Sequence, residues 1–269
     1  MPSWDKRKRG RDISAIPYGV AAILAAAALI FVSGWAIWRD HQHAALDTGT
    51  LCPKAGPVST LAVLIDRTDG LSEIQGAALE SRLLLWAGTV PTHGAFRIYE
   101  VGHGGRLLEP LVSVCNPGDG SDKSIIDANP KMLRAAYEEK FAEPIRALVE
   151  SMQLDVEAPV SPILEAVQAI SVREFGPEMQ GAKSLIIVSD LLQHGPKLSF
   201  FKAVPGVADF RQSALGRGLA VDLRDVHVSI NLLNRANAAA KQTDTLGQFW
   251  TGWLQQQGAI VEEFRIIPG

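Results

Sequence analysis

The sequence predicts an α/β domain on a doubly wound, mainly parallel sheet with one antiparallel edge strand, preceded by a membrane-spanning helix. Three observations carry this. Two short apolar runs rich in β-branched residues, Ser59–Ile65 and Ser184–Ser189, read as buried central strands, and each ends in an aspartate, Asp66 and Asp190. Strand-like and helix-like segments alternate along the chain, the pattern of a parallel sheet covered on both faces. Finally, Tyr18–Trp38 carries no charged residue.

In chain order, that uncharged stretch comes first. It is about 21 residues, roughly 30 Å as a helix, matching the hydrocarbon thickness of a bilayer. Tyr18 lies at one end and Trp35 and Trp38 at the other, where amphipathic rings favour the interface. The arm at 1–17 holds Lys6, Arg7, Lys8, Arg9 and Arg11 against Asp5 and Asp12. By the positive-inside rule it stays in the cytoplasm, and the C-terminal domain crosses into a periplasm of the bacterial type. The expected layout is a basic arm at 1–17, a transmembrane helix at 18–38, a polar tether at 39–58 and the α/β domain at 59–269. The chain's net charge is −3 with a basic arm included, so the domain is mildly acidic. It offers no basic stripe for nucleic acid.

Within the domain, Ser72-Glu73-Ile74-Gln75 is a capping-box pattern that opens a helix running to Gly88. Ala95–Val101 and Leu107–Val114 read as strands joined at the Gly102–Gly105 turn into a hairpin. Lys131–Leu154 has helical spacing interrupted by Pro144. Ser161-Pro162 reads as an N-cap followed by proline at the first helical position, with a helix to Ser171. Leu191–Leu219 is ambiguous, with helix expected over Val207–Leu215. Val226–Leu232 alternates as a strand, Thr245–Gln257 reads as a helix and Ile260–Ile267 as a last strand.

In open α/β sheets, ligands bind at the carboxyl ends of strands near the point where strand order reverses. Asp66 and Asp190, with hydroxyls from Thr68, Ser72 and Ser161, would make a crevice of hard oxygen donors suited to Mg²⁺ or Mn²⁺. Equally, Ser72 and Ser161 serve as plain helix caps and the aspartates as loop anchors. The layout resembles the von Willebrand factor A (vWA) family over about residues 59–269. That family builds a metal-ion-dependent adhesion site from an Asp-x-Ser-x-Ser loop after the first strand, a threonine before a middle helix, and an aspartate ending the fourth strand. Asp66 and Thr68 match the first loop, Ser161 the threonine and Asp190 the last aspartate. Gly70 stands at the second serine position, Leu191 where the family usually has glycine, and Arg67 adds a cation nearby. The resemblance implies a Rossmann-like, non-enzymatic module for protein binding or assembly, in which a partner carboxylate completes the metal shell. It leaves open a structural subunit with a dead metal site.

The loop Ile65-Asp66-Arg67-Thr68-Asp69-Gly70-Leu71-Ser72 also resembles that of haloacid-dehalogenase-type phosphohydrolases, which would make Asp66 a nucleophile. The acidic Gly118–Asp122 motif, however, precedes Ser189 and so stands in the wrong order for that chemistry. Cys52 and Cys115 are the only cysteines; both follow the uncharged stretch, and in an oxidising compartment they are expected to form one disulfide.

Overall fold

The computed structural model describes residues 16–44, 46–101, 109–119, 130–151, 158–179, 181–235, 238 and 241–268. The chain divides into two compact units, Met1–Ala45 and Leu46–Gly269.

In the first unit a single helix, α1, covers Ile16–Ala44. Its described side chains, at 22–36, are all exposed, among them Ile23, Leu24, Leu29, Ile30 and Phe31. Among the described residues no helix is long and apolar enough to cross a membrane. The helix also runs past Trp38 into the segment expected to be tether, ending only at Ala44. The rest of that segment belongs to the second unit. Leu46 bridges Pro53, and Cys115 donates its N–H to Thr50 (2.8 Å).

The second unit is a mixed α/β fold. Its elements are β1 (Ser59–Ile65), α2 (Glu73–Thr89), β2 (Ala95–Glu100), β3 (Val112–Cys115), α3 (Pro130–Tyr137), α4 (Glu143–Ser151), α5 (Ile163–Glu174), β4 (Ala182–Ser189), α6 (Val207–Gln212), α7 (Ala214–Gly218), β5 (Val226–Leu233), α8 (Asp244–Gln256) and β6 (Ile260–Ile267). The strands form one sheet in the order β3-β2-β1-β4-β5-β6. All neighbours are parallel except β2 and β3, which pair antiparallel with Ala95 opposite Cys115. The expected antiparallel pair is therefore present, with its second strand at Val112–Cys115 rather than Leu107–Val114, and the Gly102–Gly105 turn lies outside the described residues.

Strand period explains how the sheet is covered. On one face Ala62, Leu64, Leu185, Ile187, Val228 and Ile230 pack with α5 and with Phe249, Trp250 and Trp253 of α8. On the other, Val63, Ile65, Phe96, Ile98, Ile186 and Val188 pack with Leu79 and Leu83 of α2 and with Phe141 and Ile145. Burial on both faces is why β1 and β4 read as continuous apolar runs.

Between α3 and α4 lies a π-helical turn, Glu138–Ala142. Pro144 follows it at the start of α4. Proline has no N–H to give the preceding turn, so an i→i+5 register there accommodates the break without ending the helix. Both large aromatics of this stretch, Tyr137 and Phe141, stack at 5.1 Å, and Phe141 is fully buried.

Cys52 and Cys115 form a disulfide that links the segment before β1 to the end of β3.

Candidate functional site

Strand order reverses between β1 and β4: β1 continues to β2 and β3 on one side, and β4 to β5 and β6 on the other. Asp66 and Asp190 are the first residues beyond these two strands, at their carboxyl ends. Both are buried, at 1% and 3% exposure.

Asp66 is a hydrogen-bond hub. Its Oδ1 accepts from the Thr68 backbone N–H (3.0 Å) and the Thr68 hydroxyl (2.7 Å). Its Oδ2 accepts from the Ser161 hydroxyl (3.0 Å) and the Ser189 hydroxyl (2.8 Å). Four donors, two of them from distant segments, pull the β1 loop, the segment before α5 and the end of β4 onto one carboxylate. Ser189 in turn accepts from the Leu191 N–H (2.8 Å), which fixes the turn after β4. Both oxygens of Asp66 are thus engaged as hydrogen-bond acceptors.

Asp190 is held differently. Its Oδ1 accepts from the Leu192 N–H (2.9 Å), and its Oδ2 lies 3.9 Å from Arg235 Nε. Burial, and secondarily the Asp66 carboxylate, push its pKa up to about 7, against the opposing pull of the Leu192 N–H and Arg235.

The structure brings four of the five candidate residues together: Asp66, Thr68, Ser161 and Asp190. Ser72 is not among them. It is exposed and caps α2, its hydroxyl accepting from the Gln75 N–H (3.2 Å) while Gln75 Oε1 accepts from the Ser72 N–H (3.3 Å). Ser161 does the reverse of what its sequence context suggests. The N-cap position of α5 is Pro162, with no side-chain cap bond, and Ser161 spends its hydroxyl on Asp66. The cap comes instead from Gln193, whose Oε1 accepts from the Leu164 N–H (2.9 Å). Arg67 turns away to Glu100 (3.4 Å), so the cation beside the site is not Arg67. It is Arg235, two residues beyond β5, which sequence reasoning missed. The rule that strand ends carry function, applied to β5 as it was to β1 and β4, would have drawn attention to it.

A cavity of about 360 Å³ opens beside these residues, lined in part by Thr68, Asp69, Ser161, Asp190, His194 and Phe201. The Thr68 and Ser161 hydroxyls each give their single proton to Asp66, which leaves their lone pairs for the cavity. Two such hydroxyls beside a carboxylate are donors of the type a hard divalent cation takes. Among the described residues no three His, Cys, Asp or Glu side chains cluster as metal ligands.

Comparisons with known proteins add little beyond this. No family model and no curated protein matches the chain. Among solved structures it is similar to the conserved hypothetical protein BatB from Bacteroides thetaiotaomicron, at 10% identity and a TM-score of 0.41, with 79% of this chain and 91% of that one covered. It is similar to a von Willebrand factor type A protein from Catenulispora acidiphila, at 12% identity and a TM-score of 0.34, covering 76% of this chain and 42% of that one. A third likeness is to the SpRpn10 VWA domain, at 11% identity and a TM-score of 0.33, covering 78% and 88%.

Proposed function

We propose that this chain is a membrane-anchored, vWA-like module that binds or assembles a protein partner through the crevice at the β1/β4 switch point. The observation that carries the reading is the convergence of Asp66, Thr68, Ser161 and Asp190 beside one open cavity. A sheet of order 3-2-1-4-5-6 with its crevice at the reversal point is the arrangement in which α/β folds place ligands. In this reading Thr68, Ser161 and Asp190 hold Mg²⁺ or Mn²⁺, and Asp66 orients the two hydroxyls. The cation would offer a positive point to a carboxylate of the partner. In this reading the anchor is the uncharged stretch Tyr18–Trp38, whose roughly 21 residues match a bilayer's hydrocarbon thickness by sequence. By the positive-inside rule the basic arm supports a module on the periplasmic side of an inner membrane of the bacterial type.

A second reading, a module whose crevice works without metal, is favoured by Gly70 and by the Arg235 guanidinium beside Asp190. Calorimetry on the detergent-solubilised full chain separates the two. Binding of Mg²⁺ or Mn²⁺ that Asp190→Ala abolishes, with the circular dichroism spectrum kept, supports metal-assisted binding. A flat trace at millimolar cation selects the metal-free module. A reporter active only outside the cytoplasm, fused after Gly269, should be active; activity of a cytoplasm-only reporter there would reverse the orientation.

A further inference from the structure

Arg235 is where the chemistry of the crevice departs most from a plain oxygen site. It is buried to 9% exposure. Its guanidinium donates to the carbonyl oxygens of Gly70 and of Asp69 (2.9 Å for the latter), on the loop that follows Asp66. The remaining nitrogen, Nε, is buried without a hydrogen-bond partner among the described residues and lies 3.9 Å from Asp190 Oδ2. The residue is itself clamped. Its backbone N–H donates to Gln242 Oε1 (2.8 Å), while Gln242 Nε2 donates to the carbonyls of Leu233 (2.7 Å) and Asp190 (3.3 Å). One arginine, two residues beyond β5, thus binds the loop after β1 and faces the aspartate that follows β4.

We propose that Arg235 is the resident cation of this crevice: its guanidinium compensates Asp190 and pins the 69–70 carbonyls, so that the site holds its shape without a metal ion and any divalent cation must compete with it. The physical case rests on where charge is buried. A buried carboxylate without a counter-charge is costly, and a planar five-donor guanidinium can serve two carbonyls and face a carboxylate at once. The loop carbonyls that Arg235 binds belong to Asp69 and to Gly70, the position where the family resemblance expects a coordinating hydroxyl. The guanidinium therefore sets a fixed positive charge between those carbonyls and Asp190, where a divalent cation would otherwise be drawn. The proposal rests on the crevice assigned above, not on its holding a metal.

The test is a double-mutant cycle on the detergent-solubilised full chain in EDTA at about pH 8.5, where Asp190 is ionised, read as denaturant midpoints. Arg235→Met should lower the midpoint clearly. In the Asp190→Asn background the same substitution should lose at least half of that effect, because the charge it compensated is gone. Additive effects would overturn the proposal. Should Arg235→Met alone fail to fold, Asp190→Asn/Arg235→Met must fold, and failure of both is equally fatal. The competition half has its own readout: Arg235→Met, or Arg235→Gln if that variant does not fold, should bind Mn²⁺ at least tenfold more tightly than the unmodified chain. Unchanged or weaker binding sinks that half. A flat Mn²⁺ trace for the unmodified chain would retire metal-assisted binding while leaving the Asp190–Arg235 coupling intact, so the two failures are distinguishable.

Discussion

Leu191 follows Asp190 with a φ of 64°, in the left-handed region that favours glycine, and is fully buried. The vWA resemblance placed a glycine at this position, and the backbone keeps the conformation a glycine would take. A leucine there forfeits about 1–2 kcal/mol of backbone energy, which its burial of about 1.5–3 kcal/mol offsets. Leu191→Ala should therefore destabilise by about 2–5 kcal/mol, whereas Leu191→Gly should be no worse than Leu191→Ala, an inversion of the usual order measurable by urea unfolding. Asp190 beside it gives a pH signature. Its pKa is raised from 3.8 to about 7, so the folded state keeps a proton that the unfolded chain has released. The associated stability is present in full below pH 4 and is lost as pH rises toward 7, at up to about 1.4 kcal/mol per pH unit. Asp190→Asn should flatten that slope in EDTA; an unchanged slope would assign it to another group. At this scale Asp66, Thr68, Ser161 and Asp190 were legible because each sits at a strand end or in a loop with recognisable spacing. Arg235, Gln193 and Gln242 were not, because their partners lie 165, 29 and 52 residues away in sequence, and only the fold reveals such pairings.

Whole elements were read better than their edges. The continuous apolar strands β1 and β4, the terminal strand β6 and helix α8 fall within a few residues of the expected ranges, since long periodic segments carry their own signal. The capping box at Ser72 is realised in both directions. Ser72→Ala should lower stability by about 1 kcal/mol in thermal or denaturant unfolding without affecting any cation binding, since the hydroxyl serves α2 alone. A loss of cation affinity in this variant would return Ser72 to the crevice. Two element-level expectations shifted for identifiable reasons. The interruption at Pro144 is accommodated by a π-turn rather than a break. The ambiguous stretch after β4 holds two short helices, α6 and α7, separated at Ser213, whose hydroxyl accepts from the Gly216 N–H (2.9 Å) and so starts the second helix. Ser213 is too generic a signal to be read as a cap without that geometry.

For the whole domain, the sheet order needed the fold itself, while the disulfide pairing followed from a count of two cysteines. Cys115 is fully buried at the end of β3, and its bond to Cys52 closes a sequence separation of 63 residues. In the chain-entropy model such a loop stabilises by about 4 kcal/mol. Cys115→Ser should lower the unfolding free energy by about 2–5 kcal/mol. A comparable loss on reduction of the unmodified chain, absent in the variant, would tie the effect to the bond rather than to the substitution.

That bond also decides how tension runs through the molecule. Cys52 lies ahead of β1, and Cys115 is the last residue of β3. A pull along the chain from its N-terminal side therefore passes from residue 52 through sulfur to residue 115, and bypasses everything between. The bypassed loop contains β1, α2 and β2, together with Asp66 and Thr68. When the bond is closed, about 220 Å of potential chain extension is withheld, at 3.3–3.6 Å per residue. The half of the crevice carried by the β1 loop is thus mechanically shunted: a pull on the segment ahead of Cys52 does not draw out the strand that presents Asp66.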